Sequence, residues 1–168
     1  MSMIHRVEPT SENIFVDLRL GGEFWQKPPE VDIFVDGKFI QSHLVDRSDY
    51  HVRFRHVMDF GPHRLELLRK NKTNDQNRLL PEGSYQGQLL HINQVQLDNI
   101  DLRNLVLHTC KFQPEYPEPW ASQQREAGVI LETELTGETH LGHNGVWTFD
   151  FISPIYMFLV DWARKNTK

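Results

Sequence analysis

Strict alternation of apolar and polar side chains is the feature that most constrains this chain. A period of two suits a pleated strand with one dry face and no other regular element. In residues 14–20, Ile14, Val16, Leu18 and Leu20 share one face, and Asp17 and Arg19 the other. Val31, Ile33 and Val35 alternate with Asp32 and Asp36; Tyr50, Val52, Phe54 and His56 with Arg53 and Arg55; Leu65 and Leu67 with Arg64 and Glu66 after a turn at Gly61-Pro62. Asp36-Gly37, between Ile33-Phe-Val and Lys38-Phe-Ile, predicts a tight hairpin, since both residues tolerate the positive φ of a type I′ turn. From Gln88 to Leu97 the parity changes, with Leu90 and Ile92 even and Val95 and Leu97 odd, which a bulge near Asn93 reconciles. Leu102 to Phe112 reads as a well-buried strand, and Gly128 to Leu135 and Val146 to Ile152 complete a set of about eight or nine, enough for a sandwich or barrel.

One helix is expected. Ser153 is placed to cap it, Pro154 suits its first turn, and Ile155, Phe158, Leu159 and Trp162 follow the i, i+3, i+4, i+7 pattern. Arg164 and Lys165 suit the negative end of its dipole. The helix should lie across a sheet opening or dock on a neighbouring subunit, so a homo-oligomer is allowed. Residues 71–88 are polar and read as a long loop; Pro114 to Trp120, continuing through Gln123 to Glu126, reads as an extended Pro-rich excursion. The expected fold is therefore all-β: a two-sheet antiparallel β-sandwich of the jelly-roll kind, with one C-terminal helix over about residues 153–165. With no repeat and no shift in composition, residues 1–168 read as one soluble domain.

Composition removes several classes of function. A formal charge of -5 argues against a general grip on nucleic acid, and there is no polybasic handle for an anionic membrane. Cys110 is the single cysteine, so neither an intrachain disulfide nor a Cys-based zinc cluster can form. Met1-Ser-Met-Ile-His-Arg lacks the apolar run of a signal peptide, which points to a cytoplasmic protein when synthesised; a virion assembled there would also fit.

No catalytic motif stands out. None of the nine histidines is followed two positions later by Asp or Glu, and no His-x-His occurs. His140-x-x-His143, in a Gly-rich turn, is the closest pair, and solvated loop histidines explain it better than a metal does. Cys110 lies in an apolar segment that favours a buried structural thiol. Neither a Gly-x-Ser-x-Gly elbow nor a phosphate-cradling Gly-x-x-x-x-Gly-Lys is present. On a strand, Glu132 and Glu134 would share one face, as the paired acids of a glycosidase must, but the third acid, Glu138, arrives one position late, with Gly137 in its place. Asp98-Asn-Ile-Asp101 and Asn71-Lys-Thr-Asn-Asp75 place oxygen ligands in turns, so Ca²⁺ is the one cofactor compatible with the sequence, though neither is a fixed-spacing calcium motif. Aromatic side chains offer more for binding. Trp147 alternates with Phe149 and Phe151 and is read as core, whereas Trp25, Tyr116 and Trp120 lie in or beside predicted loops.

Short motifs add a resemblance. Val35-Asp-Gly37, Gly61-Pro-His-Arg-Leu65, Asn71-Lys-Thr73 and Val95-Gln-Leu-Asp-Asn-Ile100 resemble elements of carbohydrate-binding-module-like β-sandwiches. Pro119-Trp120 and Leu141-Gly-His-Asn-Gly-Val-Trp147, leading into Phe151-Ile-Ser-Pro154, look like small proteins of T4-like tailed phages, notably marine cyanophages. The resemblance implies a non-catalytic jelly-roll module associated with glycans or with a virion. The expected function is carbohydrate binding through Trp25, Tyr116 and Trp120, with Asn71, Asp75 and Asn144 supplying polar contacts, and the partner is a glycan or a neighbouring virion protein. A purely structural role in a phage particle is the first alternative, and a glycosidase using Glu132 and Glu134 the second.

Overall fold

In a computed structural model of the chain, residues 9–166 are described; the N-terminal hexapeptide read for a signal lies outside them. Along the chain run β1 (Ser11–Glu23), β2 (Glu30–Val35), β3 (Lys38–Leu44), β4 (Tyr50–Asp59), β5 (Gly61–Lys70), β6 (Arg78–Leu79), β7 (Tyr85–Gln86), β8 (Leu89–Leu97) and β9 (Ile100–Asp101). Then follow helix α1 (Arg103–Thr109), β10 (Lys111–Glu115), α2 (Trp120–Glu126), β11 (Leu135–Thr136), β12 (His140–Leu141), β13 (Asn144–Ser153) and α3 (Ile155–Asn166). Two antiparallel sheets dominate. One has the order β12-β8-β1-β4 with β9 beside β8, and the other β11-β10-β13-β5-β2-β3. This is the two-sheet sandwich that the alternation predicts. Its core lies between the inward faces, with Ile14, Leu18, Leu20, Leu90 and Leu97 from the first sheet meeting Ile33, Leu65, Leu67, Trp147 and Phe149 from the second, all 0–1% exposed.

Local signals in the sequence have clear outcomes. Asp36 (φ 52°) and Gly37 (φ 78°) form the tight turn between β2 and β3, with Val35 opposite Lys38. Asn93 is the extra residue of a bulge: Arg19 faces Gln94 and Leu20 faces Ile92, which explains the change of parity.

Other segments depart from the reading. Residues 102–112 are not one strand, because Leu102, Leu105 and Val106 are buried at helical spacing while Arg103, Asn104 and Leu107 face outward, giving α1. Residues 128–134 form no strand either. Val129 donates its N–H to Gln124 as α2 unwinds, and Ile130 is 82% exposed, so this apolar run packs against no sheet. Gln123 to Glu126 belong to α2 and not to an extended loop. The polar segment 71–88 is structured, with a 3-10 turn at Asn74–Gln76 and the β6–β7 hairpin. Ser153 remains in β13 with its hydroxyl buried and unpartnered, so it does not cap α3. Glu12 of β1 takes that role, its Oε1 accepting from the Ile155 N–H at 3.2 Å. Ile155 is buried, and Phe158, Leu159 and Trp162 are half-buried against the same core.

Candidate functional site

Antiparallel pairing gathers the site from distant parts of the chain. Strand β13 runs between β5 and β10, so the end of β5, the start of β13 and the end of β10 lie side by side. Gly145 is opposite both Arg69 and Pro114, and Asn144 is opposite Glu115. The segments at these ends enclose a cleft of about 240 Å³. Lys72, Thr73, Asn74 and Asn77 line it from the β5 side, Glu115, Pro117 and Trp120 from the β10 side, and His143 and Asn144 from β13. Gly145 permits the approach of β10 and β13. Its φ is +154°, and an added Cβ would lie 2.3 Å from the Gln113 carbonyl oxygen.

Beneath the cleft sits an unusual group of cations. Arg69 follows the inward parity of Leu65 and Leu67 and is fully buried at the rim of the core. One Nη donates to Asn144 Oδ1 at 3.2 Å, the other to the Gln88 carbonyl, and Nε has no partner. The Asn144 amide also accepts from the Lys72 N–H at 2.9 Å and donates to the Lys72 carbonyl at 3.0 Å. Lys72 Nζ donates to the Gly142 carbonyl. Asn144 is thus the latch between the cleft wall and β13. Burial lowers the Lys72 ammonium to about 8, with Arg69 adding repulsion, and burial lowers Arg69 to about 10. Both remain cations at neutral pH. Burial, followed by the charges of Lys72 and Arg69, holds His143 below its ordinary value, favouring a neutral imidazole.

The far wall is aromatic. Tyr116 and Trp120 lie with centroids 6.1 Å apart, and His143 packs against them at 5.1 and 5.2 Å. The Tyr116 hydroxyl donates to the Glu132 carbonyl at 2.6 Å, which fixes the ring. Trp120, at the first residue of α2, keeps 36% of its surface exposed beside the cleft. An indole edge held by neighbouring rings presents a flat apolar face without a large entropy cost on binding.

Of the residues singled out in the sequence, Tyr116, Trp120 and Asn144 come together here, and Trp120 and Asn144 line the cleft. Trp25 is half-buried outside the lining. Its Nε1 donates to the Gln76 carbonyl at 2.9 Å and the Arg78 guanidinium lies 4.8 Å from its ring, so it pins the turn that forms one wall. Asn71, at φ 75°, donates to the Pro28 carbonyl and accepts from the Glu30 N–H, tying β5 to β2. Asp75 is exposed and accepts from the Thr73 hydroxyl. Sequence reasoning missed Lys72 and Arg69 and weighed His143 only as a metal ligand. The parity of Arg69 with Leu65 and Leu67 was a usable signal for its burial; nothing local marks Lys72.

The remaining chemical candidates disperse. His140 faces His91, their Nδ1 atoms 2.6 Å apart, while His143 lies in the aromatic cluster, so the His-x-x-His pair does not converge. Cys110 is buried, and burial raises its thiol, the state of an inert cysteine. With residues 128–134 not a strand, Glu132 and Glu134 have no shared face; Glu134 pairs with Lys111 at 3.4 Å and accepts from Gln113. The turn carboxylates are engaged by protein donors: Asp98 by the Phe15 N–H, Asp101 by Gln94 and the Arg103 N–H, Asp75 by Thr73. Among the described residues no three His, Cys, Asp or Glu side chains converge, at these turns or elsewhere.

No protein-family model and no curated protein sequence matches the chain. Two solved structures are similar in fold. One is vCBM60 in complex with galactobiose, with TM-score 0.47 and 9% identity over 80% of this chain and 96% of that chain. The other is the selenomethionine form of vCBM60, described with circular permutation as an evolutionary link between two families of calcium-dependent carbohydrate-binding modules. It has TM-score 0.51 and 10% identity over 81% of this chain and 89% of that chain. The fold is that of a carbohydrate-binding-module-like sandwich.

Proposed function

We propose that the chain is a non-catalytic glycan-binding module and that the cleft between the Lys72–Asn77 segment and Trp120 holds the sugar. The observation that carries this reading is the Tyr116–Trp120–His143 cluster at a cleft otherwise lined by amides, a hydroxyl, an ammonium, one carboxylate and Pro117. Sugar rings pair apolar C–H faces with hydroxyl edges, and a site with one aromatic wall and one polar wall matches both. The fold is one that vCBM60, a carbohydrate-binding module, also uses. Glycoside hydrolysis commonly needs two carboxylates across the bond, and Glu115 is the single carboxylate on the lining among the described residues. Contact is direct in this reading, with no calcium bridging sugar and protein. The likeness of residues 119–120 and 141–154 to tailed-phage proteins supports placing the module on a virion, where many copies would raise a weak single-site affinity through avidity.

A glycan array with a multimerised form of the chain tests the reading, run with and without EDTA. Signals that survive EDTA and vanish in Trp120→Ala are expected. A blank array, or signals indifferent to Trp120→Ala, would leave assembly within a particle as the better account.

A further inference from the structure

About half of the cations on the outside of this protein are matched by acids, and the described ones that are not, such as Lys38, Arg55 and Arg103, are open to water. Arg64 pairs with Asp150, Lys70 with Asp32 and Glu30, Lys111 with Glu134, Arg19 with Asp49 and Arg53 with Asp17. Arg69 and Lys72 are the two most deeply placed, and among the described residues neither is ion-paired; their partners are the neutral oxygens of Asn144, Gln88 and Gly142. Lys70, between them in sequence, points to the opposite face of β5, where both of its acids lie. Removing two like charges from water without a counter-charge is costly, and a folded chain tolerates it where a ligand supplies the missing sign. The chain has acids to spare, with 23 Asp and Glu against 18 Lys and Arg, yet among the described residues none forms an ion pair with either member; Glu115 shares the cleft lining with Lys72 without bonding to it. Lys72 lines the cleft and gives one ammonium proton to Gly142, which leaves two for a ligand.

Resting on the glycan-binding reading above, we propose that the sugar this cleft takes is acidic, its anionic group meeting Lys72 above the buried Arg69 while a ring face lies on Trp120. Glu115, on the β10 side of the lining, is a carboxylate that would oppose a misplaced anion and accept hydroxyl protons. It makes the site polar in direction as well as in character. Free carboxylates and sulfate half-esters share the required negative charge and differ in source, so both are tested.

Calorimetric titration of the full chain with trigalacturonate, its methyl ester and a sulfated galactan tetrasaccharide decides the matter. The methyl ester keeps the ring and removes the charge. Wild-type protein should bind at least one anionic probe about tenfold or more tightly than the ester, the effect of one well-placed charge in a half-buried site. Lys72→Met should bring the acid-to-ester ratio toward unity, with Lys72→Arg restoring it. Asn144→Asp, which sets a carboxylate against Arg69, should also reduce the preference. Glu115→Gln should strengthen the anionic arm, and this variant, like the acid-to-ester comparison itself, does not depend on altering the latch. An ester that binds as tightly as the acids, or array signals confined to neutral glycans, would overturn the acidic assignment and leave the glycan-binding module standing. Binding of no glycan at all would overturn both.

Discussion

Asn144→Ala separates a latch from a ligand contact. The native amide receives the Arg69 Nη proton at 3.2 Å and the Lys72 N–H at 2.9 Å, and it donates to the Lys72 carbonyl at 3.0 Å. Truncation orphans two donors, one of them on a fully buried guanidinium whose Nε is already unpartnered. An unsatisfied buried donor costs about 1–3 kcal/mol, and Asn144 is only half-buried, so water can reach part of the gap. The expected loss is about 2–4 kcal/mol. For a chain of 168 residues that lowers Tm by about 5–15 °C, readable by calorimetry, with the same loss from urea titration. Trp120→Ala serves as the contrast, because removal of this indole, 36% exposed and outside the latch's hydrogen bonds, should cost about 1–2 kcal/mol in stability while abolishing glycan binding. A loss under about 1 kcal/mol for Asn144→Ala would refute the latch and return this residue to the role of a sugar contact.

Further expectations concern the same region and the terminal helix. Gly145→Ala should cost at least about 2 kcal/mol in urea titration, since its Cβ meets Gln113, Phe112 and Pro114 at 2.3–2.9 Å with φ at +154°. His143, held neutral by burial and by Lys72 and Arg69, should titrate below 6.5 by NMR and move upward in Lys72→Met. A depressed imidazole means that the unfolded chain takes its proton first, so stability falls as pH drops below about 6.5; His143→Gln should lose less between about pH 7 and 5 than wild type. His63 should titrate above 6.5, because burial, which works against its charge, is outweighed by Asp36 and the Asp59 carbonyl. Trp162→Ala should cost about 2 kcal/mol, less than a fully buried indole, since the ring is half-exposed beside His108.

What could be read in the sequence was what local sterics decide. Alternation located β1, β2, β4, β5 and β13, the change of parity located the Asn93 bulge, and Asp36-Gly37 located its hairpin. Where two periods compete in a short apolar run, the reading failed. Leu102, Leu105, Val106 and Cys110 fit a helical stripe as well as a buried strand, and helix won because Leu107 and His108 lie on the solvent side. Of the site, Tyr116 and Trp120 were visible as aromatics among prolines. Lys72, His143 and Glu115 were not, because strand pairing across about seventy residues brings them together and no local pattern records it. Trp25 and Asn71 were singled out for residue type, yet their polar atoms hold neighbouring segments in place.

All three walls of the cleft hang from one end of the β5–β13–β10 triplet, and the core side chains of those strands point away from it. The exposed positions of residues 72–88 and 116–134 can therefore vary without disturbing Leu65, Leu67, Phe112, Trp147 or Phe149, provided that the buried Gln76, Gln88 and Ala121 and the latch at Lys72 are kept. Such a division makes the molecule evolvable in the way that antibody loops are. A change of ligand could be met by rewriting exposed positions of two segments on a constant frame, and libraries randomised there should yield folded proteins with new specificities.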